Sequence, residues 1–277
     1  MSAFAWFASL LCCLVSVSAS GQQMPYGNNP SAGHFLDVGN CKIYYEVYGQ
    51  GEPMVLLHGG VYGYIDEFEP FIERLSKRYR VICIATRGHG KSDIGHSPYT
   101  YTQRAEDAYK VIRSITKDSV YVLGFSDGGY SALKLAALHP DLVKKLVVIG
   151  AGDLPKLAAG QKRYEQYNAI NLMKSDSSFF SGRLALMPEP DRWNESLSML
   201  NDLYNKDFVS VETFKKIKCP TLVMAGDRDE YSSTGSFLAC KQSISQAQLA
   251  IIPGCGHVVF YCNFPAVWDS LEPFLVR

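Results

Sequence analysis

The chain has 277 residues, with 27 Lys and Arg against 27 Asp and Glu and 47% hydrophobic residues. Balanced charge without runs of one sign leaves no basic face for a nucleic-acid partner and no charged interaction tail. The length suits one α/β domain with an insertion, and the sequence carries no internal repeat or low-complexity segment.

Ala3 to Ala19 is uncharged and largely apolar, and the first charged side chain is Asp37. The apolar core is short for a spanning helix, and Val17, Ala19 and Ser20 suit cleavage after Ala19 or Ser20. A secretory leader over residues 1–20 is therefore expected, with 21–33 as a linker, an exported product and no stable membrane insertion once the leader is removed. No Lys or Arg precedes the apolar core, so a retained anchor is the alternative. Beyond the leader lie Cys41, Cys83, Cys219, Cys240, Cys255 and Cys262. Their spacing matches no zinc pattern; Cys83 falls in a predicted core strand and Cys219 just before another, so buried free thiols are expected for most of them.

The body, 34–150 and 217–277, opens with a hairpin signal, Phe35 to Val38 and Lys42 to Tyr48 around Gly39-Asn40. Pro53 to Leu57 reads as a buried strand ending in His58-Gly59-Gly60. Gly60 lets a carbonyl oxygen approach a backbone N–H, which makes it an oxyanion-hole candidate, whereas His58 suits bracing the turn through its ring, with the catalytic base as its lesser alternative. Phe68 to Lys77 is a predicted helix, Tyr79 to Ala85 a strand and Thr86 to Ser92 a glycine-rich loop. That loop has neither dinucleotide nor P-loop spacing, so no phosphate cofactor is implied. Tyr101 to Ile115 follows as a helix with Ala105, Ala108, Val111, Ile112 and Ile115 on one face.

Val120 to Leu123 is an apolar strand that stops at Gly124. Gly124, Ser126 and Gly128 then form G-x-S-x-G, a strained turn presenting a serine hydroxyl above the sheet, because a Cβ at either glycine would strike the adjoining strand and helix. The helix that follows, recognisable from Tyr130 to His139, points its free N–H groups at Ser126, so the N–H of Asp127 is the second oxyanion donor. Leu142 to Gly150 supplies another parallel strand. From 151 to 216 the alternation breaks into helical sequence with scattered aromatics such as Tyr164, Phe179, Trp193, Tyr204 and Phe208, a helical cap inserted after the sixth strand.

The strand Cys219 to Gly226 ends in Asp227-Arg228-Asp229-Glu230, acid at the carboxyl end of a core strand. Ser232 to Lys241 is a helix and Leu249 to Ile252 a last strand, and the glycine loop Pro253 to Gly256 positions His257 as the base. Alternating strands and helices give a mostly parallel twisted sheet with helices on both faces.

On these residues the chain resembles the α/β-hydrolase family over Gly33 to Arg277. The chain order Ser126, Asp229, His257 matches the family's nucleophile, acid and base. The resemblance places the acid three residues after the strand-ending glycine, which selects Asp229 over Asp227, with Asp153 a lesser alternative. Arg87-Gly88-His89-Gly90-Lys91-Ser92 is similar to the family's R-G-x-G-x-S segment, but Ala85 stands where many members carry a structural Asp. The elbow is similar to that of the valacyclovir hydrolase branch, in which the Asp after the nucleophile recognises a substrate amino group. For Asp127 two readings stay open: a carboxylate held by nearby donors, or one that binds an ammonium. The implied chemistry is serine hydrolysis of a small carboxylic ester with no metal or organic cofactor. The alternatives are amide, lactone or C–C hydrolysis or perhydrolysis on the same triad, or a non-catalytic ligand-binding member.

Overall fold

The computed structural model describes residues 24–158, 160–164 and 166–276. The expected leader and residues 21–23 lie outside the described residues.

Among the described residues eight strands form one sheet: β1 (Gly33–Asp37), β2 (Lys42–Tyr48), β3 (Glu52–Leu57), β4 (Tyr79–Ile84), β5 (Val120–Phe125), β6 (Val143–Ile149), β7 (Thr221–Gly226) and β8 (Ala247–Ile252). Their spatial order is β1-β2-β4-β3-β5-β6-β7-β8. β2 pairs antiparallel with β1 and β4, and all other neighbours are parallel. Parallel pairing requires crossovers that cover both faces, so central strands such as VYVLGF and TLVMAG are buried throughout and read as continuous apolar runs.

The helices are α1 (Glu69–Leu75), α2 (Tyr101–Ile115), α3 (Asp127–Leu138), α4 (Ala169–Ser175), α5 (Ser177–Leu184), α6 (Trp193–Lys206), α7 (Val211–Phe214), α8 (Thr234–Ser243), α9 (Val259–Cys262) and α10 (Phe264–Val276). Alternation along each strand sends its side chains to two cores. Val55 and Leu57 of β3 join Val111 and Ile112 of α2, Leu133 of α3 and Phe237 of α8. Met54 and Leu56 join Phe71 and Leu75 of α1 and Val267 and Leu271 of α10 on the other face. Sequence reading stops at His257 and misses α10, whose Pro273 lies inside the helix and interrupts the helical pattern.

Among the described residues, the α-helices α4 to α7 and a short 3-10 turn (Pro190–Arg192) lie between β6 and β7, and an antiparallel bridge from Leu154 to Val209 closes their base. Residues 24–33 depart from the expected linker. Gly27, Asn29 and Ala32 are buried, because the N–H groups of Gly27 and Asn29 donate to the carboxylate of Glu46 on β2 at 2.7 and 2.9 Å. Cys255 and Cys262 form a disulfide, while Cys41, Cys83, Cys219 and Cys240 are free and buried.

Candidate active site

The turn between β5 and α3 holds Ser126 at φ 51°, the one positive φ at a non-glycine among the described residues. The flanking glycines make it possible. A Cβ on Gly124 would lie 2.3 Å from the carbonyl oxygen of Gly128, and one on Gly128 would lie 1.9 Å from that of Leu57. Backbone sits on both sides, so neither clash can relax by moving a side chain.

The carboxyl ends of β7 and β8 bring the other two residues to the serine. His257 Nε2 lies 2.8 Å from Ser126 Oγ, and Nδ1 lies 2.9 Å from Asp229 Oδ2. The carboxylate at Nδ1 fixes the tautomer: Nδ1 carries the proton and donates, and Nε2 is free to accept the serine proton. The side chain of Asp229 is 1% exposed, and its Oδ1 accepts the N–H groups of Tyr231 and Ser232 at 2.9 Å each, so the carboxylate is held in one orientation. Asp227 braces the histidine loop instead, accepting from Gly254 N–H at 2.6 Å. Asp153 is engaged through its backbone, whose N–H donates to Ser236 O, and burial raises its carboxyl pKa. The carboxylate on the imidazole is therefore Asp229. Glu230 accepts the N–H of His257 at 3.0 Å, and the rings of Phe125 and Tyr231 flank the imidazole.

His58 is a brace. Its Nε2 accepts from Thr86 N–H at 2.9 Å, so Nδ1 carries the proton and donates to Gly59 O at 2.7 Å. Full burial pushes its pKa well below the usual histidine range, keeping it neutral. Gly60 follows on a tight turn closed by Gly63 N–H to Gly60 O, and Gly59 N–H donates to Glu67 at 2.6 Å. Burial raises the Glu67 carboxyl to about 8. Asp127 opens α3, so its N–H has no intrahelical acceptor. Gly60, Ser126, Asp127, Glu67 and His257 all line one cavity of about 770 Å³.

The Asp127 side chain does not offer a free anion to the cavity. Oδ2 accepts from Arg104 at 3.1 Å and Tyr204 OH at 2.8 Å, and Oδ1 from Tyr101 OH at 3.3 Å. This is the arrangement of the first of the two sequence readings, a carboxylate held by nearby donors, with a buried guanidinium where the second reading would put a substrate ammonium. Arg104 was missed in the sequence, although a basic residue one turn before Ala108 on the apolar face of α2 is a readable signal. Arg87 likewise finds its carboxylate elsewhere than position 85, pairing through two nitrogens with Asp107 of α2 at 2.6 and 2.9 Å.

Residues 52–170 match the family model of the alpha/beta hydrolase fold. The chain is 32% identical over 253 residues to the putative carbamate hydrolase RutD of Azorhizobium caulinodans, spanning 84% of this chain and 94% of that protein. It is 27% identical over 254 residues to the AB hydrolase superfamily protein YisY of Bacillus subtilis, across 83% and 94% of the two chains. The solved structure of an esterase from Exiguobacterium antarcticum is similar at TM-score 0.71 and 29% identity, covering 88% of this chain and 100% of that one.

Proposed function

The chain belongs to the α/β-hydrolase family and is a hydrolase, and from that premise we propose that it cleaves a small carboxylic ester through Ser126, His257 and Asp229 and an acyl-enzyme. The observation that carries this reading is the unbroken relay of 2.8 and 2.9 Å from a serine on a strained elbow to a buried carboxylate. Ser126 Oγ attacks the ester carbonyl carbon while its proton passes to His257 Nε2. The Asp229 carboxylate stabilises the imidazolium so formed. Negative charge on the carbonyl oxygen is met by the N–H groups of Asp127 and Gly60 at the positive end of α3. Collapse breaks the C–O bond, and the departing alkoxide takes the proton from His257. Water, deprotonated by the same imidazole, then releases the acid and frees Ser126.

Neutralisation of Asp127 by Arg104 favours an uncharged ester over an amino ester. A carbamate carbonyl is the second reading, supported by the putative carbamate hydrolase among the relatives. We also propose export, supported by the uncharged apolar start and by the Cys255–Cys262 disulfide, a bond that persists in oxidising compartments.

The test is labelling by a fluorophosphonate followed by an ester, carbamate, lactone and amide panel. Labelling at Ser126, lost in Ser126→Ala, with esters turned over fastest, is the expected result. Folded protein that neither takes the probe nor turns over any of the panel would overturn hydrolysis in favour of ligand binding.

A further inference from the structure

The short segment Met24-Pro25-Tyr26 lies far from the triad in sequence, yet all three residues line the cavity that Ser126 and His257 open onto. It is held there by the carboxylate of Glu46 on β2. Glu46 is fully buried, and its two carboxylate oxygens accept four hydrogen bonds: Gly27 N–H and Tyr48 OH on Oε2 at 2.7 Å each, and Asn29 N–H at 2.9 Å and Tyr44 OH at 2.7 Å on Oε1. A carboxylate buried in this way is stable only with its lone pairs satisfied, so the two backbone donors bind the segment to the sheet through bonds that are expensive to break. Gly27 adds a second attachment. It sits at φ +84°, and its carbonyl accepts from Tyr64 OH at 2.5 Å, with the Tyr64 ring so close that a Cβ would lie 2.3 Å from it. Tyr64 follows the Gly60–Gly63 turn directly, so segment and oxyanion loop are fastened to one another. The Tyr26 ring packs edge-on against Tyr48 at 5.2 Å.

We propose that Met24–Tyr26, anchored by Glu46, is a fixed wall of the substrate cavity that limits the size of the group the enzyme accepts. Tyr26 is the specificity-determining residue, and Glu46 is a positioning residue that acts through the segment. The inference rests on the hydrolase reading above. It makes size discrimination a property of the segment preceding the first strand, separate from the cap.

The experiment compares labelling rates of Ser126 by a small and a bulky fluorophosphonate in wild type, Tyr26→Ala and Glu46→Gln. Tyr26→Ala is expected to raise the bulky-to-small rate ratio about tenfold. Glu46→Gln, which replaces an acceptor oxygen with a donor NH2, is expected to raise it in the same direction. A ratio unchanged in folded Tyr26→Ala overturns the wall, whatever Glu46→Gln does. Wild type that takes neither probe overturns the hydrolase reading and this inference with it.

Discussion

A carboxylate beside a developing oxyanion opposes catalysis by Coulomb's law, so Asp127 next to Ser126 requires compensation. Arg104 supplies it from α2, with Tyr101 and Tyr204 completing the hydrogen bonds. Arg104→Met would leave a buried, unpaired anion, a loss of about 3–5 kcal/mol when one partner of such a pair is removed. Denaturant titration should show that loss, and kcat should fall with it. Adding Asp127→Asn should restore much of the stability; losses that simply add would show that the two residues do not act as a pair. For the triad, Ser126→Ala and His257→Ala should each lower kcat by about 10⁴- to 10⁶-fold, with the double mutant little worse than either. Asp229→Asn should be severe and Asp227→Asn mild, since only Asp229 touches the imidazole. Residues fixed by a local turn or a strand end, such as Ser126 and His257, were legible in the sequence. Arg104 was legible only as a helical position, and its partner across 23 positions was not. The contact between Glu67 and Gly59 has no sequence signal, because a side chain eight residues on is brought back by the fold.

The loop that carries Gly60, the proposed oxyanion donor, and the histidine loop are the two elements on whose rigidity the proposed mechanism depends. Glu67 holds the first through Gly59 N–H, and it lies near the charges of Asp66, Arg183 and Asp127. Its folded pKa is raised to about 8 against an ordinary carboxyl value near 4.5. The folded state therefore holds a proton that the unfolded state has released between these values. The contribution of Glu67 to stability is fully present below pH 4.5, and it is lost as pH rises through about 8. Chemical denaturation from pH 5 to 9 should show wild type weakening along this window and Glu67→Gln weakening less. The histidine loop is closed by the Cys255–Cys262 bond, seven positions apart across His257. Cys262→Ser should lower stability by about 2 kcal/mol on loop-closure grounds. It should also reduce kcat more than it raises KM, because the loop it frees carries the base. Glycines and prolines explain the elements that sequence reading misplaced. Gly128 and Gly129 hide the first turn of α3, which starts at Asp127, ahead of the stretch recognisable from Tyr130, and Pro273 hides α10.

At the scale of the molecule, the sheet collects the site because β5, β7 and β8 run in the same direction, so their carboxyl ends deliver Ser126, Asp229 and His257 to one edge. Strand and helix alternation made that architecture legible, since apolar runs and their order are local signals. The stretch before the first strand was not legible, because Met24-Pro25-Tyr26-Gly27-Asn28-Asn29 has linker composition and its partner, Glu46, is a single acid in an alternating strand. That partner bears on where the proposed leader would be cut. A leader cut after Ala19 or Ser20 leaves the whole anchored segment on the mature protein, whereas any cut beyond Met24 would begin to remove the cavity wall. Protein recovered from an envelope fraction should therefore begin near Ser20 or Gly21; an intact Met1 on membrane-bound protein would establish an anchor instead. The energetic counterpart is a chain begun at Ser31, which lacks both backbone donors and leaves Glu46 with two of its four hydrogen bonds. Each bond to a charged acceptor contributes about 1.5–3 kcal/mol, and each kcal/mol corresponds to roughly 2–4 °C in a domain of this size. Thermal unfolding should show a Tm lower by about 6 °C or more, with a chain begun at Gly21 unchanged. Equal Tm values for the two would mean that Glu46 recovers its donors from water and that the segment is bound only loosely to the sheet.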